Sequence, residues 1–150
     1  MVVRAFAFAL AVFGATAASA QCRLALALAL DVSSSVDARE YQLQNDGLAR
    51  ALEDPEVREA FLPGLPPVAL AIYEWSNARH QAIIQDWLLI TQPSDLDAVA
   101  AALRGHERTA SQNPTAIGNA LLFGLAMFNR APICAARTID VSGDGINNDG

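Results

Sequence analysis

Asp31-Val32-Ser33-Ser34-Ser35 packs one carboxylate and three hydroxyls into five residues. All of these are hard oxygen donors, which suit Mg²⁺ or Ca²⁺ rather than zinc. Two more oxygen-bearing points stand far downstream, at Thr115 and at Asp144 within Ser142-Gly143-Asp144-Gly145. Two cysteines, Cys22 and Cys134, complete the reactive inventory. His80 and His106 are the only histidines. Neither stands in a recognisable catalytic context, and both are expected to be solvated loop or strand-end residues.

Each oxygen site has a plainer explanation. The serines could cap a helix. Thr115 could be an N-cap, and Asp144-Gly145 a turn. Hydrolases are the rival chemistry. Asp31-Val32-Ser33 resembles a phosphatase's paired-Asp motif, but the second acid is a serine, so the acid/base is missing. No G-x-S-x-G surrounds any serine. An EF-hand over Asp144-Gly150 fails on register: with Gly150 at the loop's glycine position, Gly145 falls where an acid must ligate. A metal-dependent or serine hydrolase therefore remains the weaker alternative, and an enzyme is not expected.

The elements that must position these residues follow from local pattern. Leu24 to Leu30 is an unbroken apolar run ending in Asp31. Alternating Leu and Ala favours helix in isolation. The run is too short for one, however, and a separate helix signal begins at Asp37, so a buried strand is predicted. Asp37 with Glu40 resembles a capping box, opening a helix from about Ala38 to Glu53. Pro55 opens a short second helix through Phe61. Val68–Trp75 is a strand by its β-branched and aromatic content. The turn at Ser76 to Arg79 is too short for a parallel return, so Gln81–Leu89 is an antiparallel partner. A helix follows from Pro93 to near Gly105, then a polar loop from His106 to Pro114. An apolar helix is expected from Thr115 to Arg130, and a last strand from Arg137 to Val141. Trp75 and Trp87 flank the hairpin and are expected in core or rim packing.

Composition bounds the rest. The chain has 150 residues, 53% of them hydrophobic, and a formal charge of −6. That charge disfavours nucleic acid and anionic membrane surfaces as partners. Residues 1–20 read as a secretory signal. Arg4 supplies the charge, Ala5 to Ala15 an apolar core too short to span a bilayer, and Ala18-Ser19-Ala20 a small-residue cleavage site. A lipoprotein alternative at Cys22 is a poor fit because Gln21 precedes it. No membrane insertion is expected after cleavage, and a periplasmic or secreted location is. In an exported chain two cysteines tend to pair. Cys22 lies nine residues before Asp31, and Cys134 ten before Asp144. If both acids end adjacent parallel strands, a Cys22–Cys134 disulfide results.

Taken together, Asp31-x-Ser33-x-Ser35, the T-x-x-G-x-A-L stretch from Thr115 to Leu121, and SGDG after a strand resemble the metal-ion-dependent adhesion site of the von Willebrand factor type A domain. The stretches DGLARALEDPEVREA, YEWS and TIDVSGDG look like a family of secreted bacterial proteins built on that domain. The resemblance covers residues 22–150. It implies an α/β, doubly wound, mostly parallel sheet with helices on both faces and one antiparallel edge strand, the first and fourth strands being neighbours. Carried over by position, Ser33, Ser35 and Thr115 would offer hydroxyls to a divalent cation. Asp31 and Asp144 would hold it directly or through water. Mg²⁺ is the expected ion, with Mn²⁺ and Ca²⁺ as alternatives, and the partner is a protein ligand that offers an acidic side chain. The family fold continues with at least one more helix and two more strands. Residues 21–150 are therefore expected to be a C-terminally incomplete domain, with a non-functional truncated fragment as the alternative.

Overall fold

The computed structural model describes residues 20–62, 66–110 and 112–149. Residues 1–19 of the expected signal segment lie outside them. In chain order the elements are β1 (Cys22–Asp31), α1 (Ala38–Glu53), α2 (Pro55–Phe61), β2 (Val68–Trp75), β3 (Gln81–Ile90), α3 (Pro93–Gly105), α4 (Ile117–Met127) with a 3₁₀ turn (Phe128–Arg130), and β4 (Cys134–Ser142). The four strands form one sheet in the order β3-β2-β1-β4. β1 lies parallel to both β2 and β4, and β3 runs antiparallel to β2.

The Leu/Ala alternation of β1 explains how the layers assemble. Successive side chains of a strand point to opposite faces. The alanines Ala25, Ala27 and Ala29 all point to the face covered by α4, and all are fully buried. Their small size lets α4 approach closely. A Cβ on Gly124 of α4 would stand 2.7 Å from the Tyr73 hydroxyl and 2.8 Å from Ile139. The Tyr73 hydroxyl donates to the Ala120 carbonyl at 2.7 Å, tying β2 to α4 through a buried bond. The leucines of β1 face the other layer. There Leu30, Leu70 and Ile72 meet Leu52 of α1 and Leu96, Val99 and Leu103 of α3.

Asp37 caps α1 with a full capping box. Its carboxylate accepts from Arg39 and Glu40 N–H, and the Glu40 carboxylate accepts from Asp37 N–H. Several boundaries differ from expectation by about one to three residues, and two of them have an identifiable cause. β4 begins three residues earlier than Arg137, because Cys134 pairs in register with Cys22 and the two are joined in a disulfide with Cα atoms 4.4 Å apart. α4 begins at Ile117 rather than Thr115, because Thr115 is engaged elsewhere. Trp75 is fully buried, and Trp87 stacks on Phe128 with ring centroids 5.5 Å apart. Among the described residues, no helix is long and apolar enough to cross a membrane.

Candidate metal centre

The parallel register sets Asp31 opposite Trp75 at the carboxyl end of the sheet. The pairing runs one residue further, with Val32 N–H donating to the Trp75 carbonyl at 2.9 Å. The chain then turns sharply. Ser33 N–H donates to Asp31 Oδ1 at 2.7 Å, and Val36 N–H to the Ser33 carbonyl at 3.1 Å. The first bond is the two-residue Asx turn that a short acidic side chain permits. Ser33 Oγ then lies 2.9 Å from Ser35 Oγ. Thr115 arrives from the far side, and its hydroxyl donates to Ser33 Oγ at 3.0 Å. Asp31, Ser33 and Thr115 are buried and Ser35 is exposed, so the hydroxyl row opens to solvent at Ser35.

Gly143-Asp144-Gly145 closes over this row. A Cβ on Gly143 would stand 3.0 Å from Asp31 Oδ2. One on Gly145 would stand 2.8 Å from Ser35 Oγ and 2.9 Å from Thr115 Oγ1. The backbone on both sides of Asp144 therefore reaches the donor atoms only because neither flanking residue has a side chain. Burial pushes the Asp31 carboxyl above the usual carboxylate range, against the opposing hydrogen bonds from Ser33. The nearby Asp144 charge adds to the rise, and Arg108 offsets part of it.

Asp31 Oδ2 is buried and has no hydrogen-bond partner. An orphaned carboxylate oxygen is costly in an interior. The adjoining loop carries the linked hydroxyls of Ser33, Ser35 and Thr115, and the Asp144 charge is felt at the same carboxyl, a donor set that fits Mg²⁺, Mn²⁺ or Ca²⁺. Among the described residues, no group of three or more His, Cys, Asp or Glu is placed to hold an ion. A cation at this rim would depend on the hydroxyls.

Two of the plainer explanations, a serine cap on α1 and a Thr115 cap on α4, do not survive the geometry. Asp37, not a serine, caps α1. The N-cap of α4 is Ala116, with no side-chain bond. The start of α4 is served instead by the loop after β4, where Asn148 Oδ1 accepts from Thr115 N–H and Asn147 Oδ1 from Ile117 N–H, each at 2.8 Å. Asn148 and Asp149 N–H in turn donate to the Thr115 carbonyl at 3.0 Å. The isolated Asn-Asn pair was the available signal for this contact.

The histidines also differ from expectation. Glu74 is fully buried, and His106 Nε2 lies 3.1 Å and His80 Nε2 3.5 Å from its two oxygens. Thr109 donates to the same carboxylate through its N–H at 3.1 Å and through its hydroxyl. The two imidazoles are mostly covered, not solvated. Their partner was visible as the one charged residue in the apolar strand VALAIYEW, but the pairing was not.

A four-stranded sheet with one antiparallel edge, helices on both faces and an oxygen-rich loop set at its carboxyl rim is a von Willebrand factor type A fold. Residues 21–150 match the family described as "Protein of unknown function (DUF1194)", and the chain belongs to that family. Among curated proteins, none matches the chain. Solved structures share its fold. The vWF domain of the type V pili tip protein Mfa5 from Porphyromonas gingivalis superposes with a TM-score of 0.59 at 11% identity, over 86% of this chain and 40% of that one. The PilB minor pilin from Streptococcus sanguinis, in a mutant form, gives 0.57 at 14%, over 81% and 29%. Proximal thread matrix protein 1 from the mussel byssus gives 0.55 at 16%, over 85% and 30%. The chain thus spans less than half the length of each.

Proposed function

We propose that this chain is an extracytoplasmic, metal-ion-dependent protein-binding module and not an enzyme. Mg²⁺ is held at the sheet's rim by Asp31, Ser33, Ser35, Thr115 and Asp144. The observation that carries this reading is the buried, partnerless Oδ2 of Asp31, set beside a row of three hydroxyls that open at Ser35. Hydroxyls carry no charge, so the site leaves a divalent cation under-neutralised wherever the acids act through water. A bound cation would supply an electrophilic coordination position. An acidic side chain of a protein ligand is the chemistry that completes it. A cleft of about 250 Å³ lined by Val36, Glu40, Gln44, Ser142, Gly143 and Asp144 gives such a ligand room beside the centre. The pilus tip protein and the byssal matrix protein that share the fold favour an adhesive role over a hydrolytic one. The Cys22–Cys134 disulfide and the apolar residues 1–20 support export to the periplasm or beyond.

The test is capture of extracytoplasmic proteins on the immobilised chain, in Mg²⁺ and in chelator, with and without a competing Asp-containing peptide. Partners should be retained only with the ion and released by the acidic peptide. A partner kept equally in chelator contradicts the reading.

A further inference from the structure

Arg108 lies in the connection between α3 and α4, seven residues before Thr115. A single nitrogen of its guanidinium, Nη2, stands 2.8 Å from the Val32 carbonyl, 2.9 Å from that of Ser33 and 2.7 Å from that of Val36. These carbonyls bracket Ser33 and Ser35. No carboxylate among the described residues lies within ion-pairing distance of Arg108. Its guanidinium instead sits over the ring of buried Tyr41, 5.6 Å from the centroid.

Three carbonyl dipoles aimed at one point repel one another, so the loop keeps this shape only around a positive centre. The carbonyls of Val32, Ser33 and Val36 meet Arg108, while the hydroxyls of Ser33 and Ser35 meet each other and Thr115. The same connection touches the loop again where Ser34 N–H donates to the Asn113 carbonyl at 2.8 Å. It is itself pinned by Glu74, which takes His106 and Thr109. One segment therefore carries both Thr115 and the cation around which the serine loop is wrapped.

We infer that Arg108 is a positioning residue for the candidate metal site, holding the Asp31–Ser35 loop in its ligand-presenting shape through the three carbonyls it gathers. This rests on the metal-binding reading above. Arg108 does not touch the ion. Its role is to make the hydroxyls converge before the ion arrives. Partners of this outer kind commonly change metal affinity by about 10–100-fold when removed. Lysine is not equivalent, since an ammonium on a flexible stem lacks the planar guanidinium's preset geometry.

The test is calorimetric titration of Mg²⁺ into the full chain, with melting temperature in chelator measured alongside. Arg108→Met is expected to weaken binding at least about tenfold. Arg108→Lys should fall between it and the wild type, and Arg104→Met, which removes the same charge nearby, should bind normally. A merely structural Arg108 would lower the melting temperature in chelator and leave the affinity of the folded protein unchanged, and that result overturns the inference. Should Arg108→Met not fold, Arg108→Lys decides: weakened binding supports the role, and wild-type affinity overturns it. Wild-type protein that takes up no Mg²⁺ overturns both this inference and the reading beneath it. Wild-type binding with equal binding by folded Arg108→Met overturns this one alone.

Discussion

The Thr115 hydroxyl donates to the Ser33 hydroxyl at 3.0 Å, although the two residues are 82 positions apart. That bond joins the loop after β1 to the loop before α4, and it leaves Thr115 without a capping role. Thr115→Ala is predicted to weaken Mg²⁺ binding without abolishing it, because one neutral donor goes and the charged ones stay. Thr115→Ser should restore most of the affinity. Titrating both variants against wild type checks this, and an alanine variant of unchanged affinity contradicts it.

Asp31 gives a pH prediction whose sign runs against intuition. Its folded pKa is raised, chiefly by burial. The folded protein therefore holds that proton more tightly than the unfolded chain. Asp31's contribution to stability is fully present below the unfolded pKa, near ~3.9, and is lost as pH rises through the folded value. At neutral pH in chelator, Asp31→Asn is predicted to melt higher than wild type, since the amide keeps an acceptor for Ser33 N–H and carries no buried charge. The same variant should gain nothing from Mg²⁺. Melting curves with and without the ion test both halves, and a chelated variant that melts lower argues against the account of Asp31.

Two glycines separate the site from the scaffold. At Gly145 an added Cβ would press on Ser35 Oγ and Thr115 Oγ1, and at Gly124 on the Tyr73 hydroxyl and Ile139. Gly145→Ala is predicted to impair Mg²⁺ uptake while the fold persists. Gly124→Ala should do the reverse, costing about 1–3 kcal/mol of stability, as overpacked cores do, while folded protein still binds the ion. Denaturant melts paired with titration distinguish the two. Equal effects on both properties would contradict this division.

The disulfide joins residues 112 positions apart at the amino ends of β1 and β4. Loss of a native bridge typically costs about 2–5 kcal/mol. Replacing both cysteines by serine should lower stability in that range. Because the bridge lies at the opposite end of the strands from Asp31, Mg²⁺ affinity of the folded variant should be unchanged.

Much of this arrangement was legible in the sequence because it is written locally. Leu-Ala alternation is too short for a helix yet has the period of a strand, and it also sorts large from small residues between two layers. The capping box at Asp37 and the tight turn after Trp75 fix their elements by short-range chemistry. Each of the three oxygen points follows or precedes such an element, and it is the resemblance to the von Willebrand factor type A domain that groups them into one site. What escaped was long-range. The Cys22–Cys134 pairing was expected, but its consequence, the early start of β4, was not, since Cys134 and Ala135 carry no strand signal of their own. Glu74 with His80 and His106, Arg108 with three carbonyls, and Asn147-Asn148 at the start of α4 are polar contacts between segments far apart in the chain. Side-chain type shows that such residues need partners but not which ones.

Asp31 and the hydroxyl row are proposed to hold a divalent cation. Calorimetric titration of Mg²⁺, and separately Mn²⁺, into chelator-stripped full chain and its Asp31→Ala variant tests it most directly. Saturable uptake at a single site is expected of the wild type and none of the variant, with both proteins folded. Wild-type chain that binds neither ion, or a variant that binds as the wild type does, would contradict it.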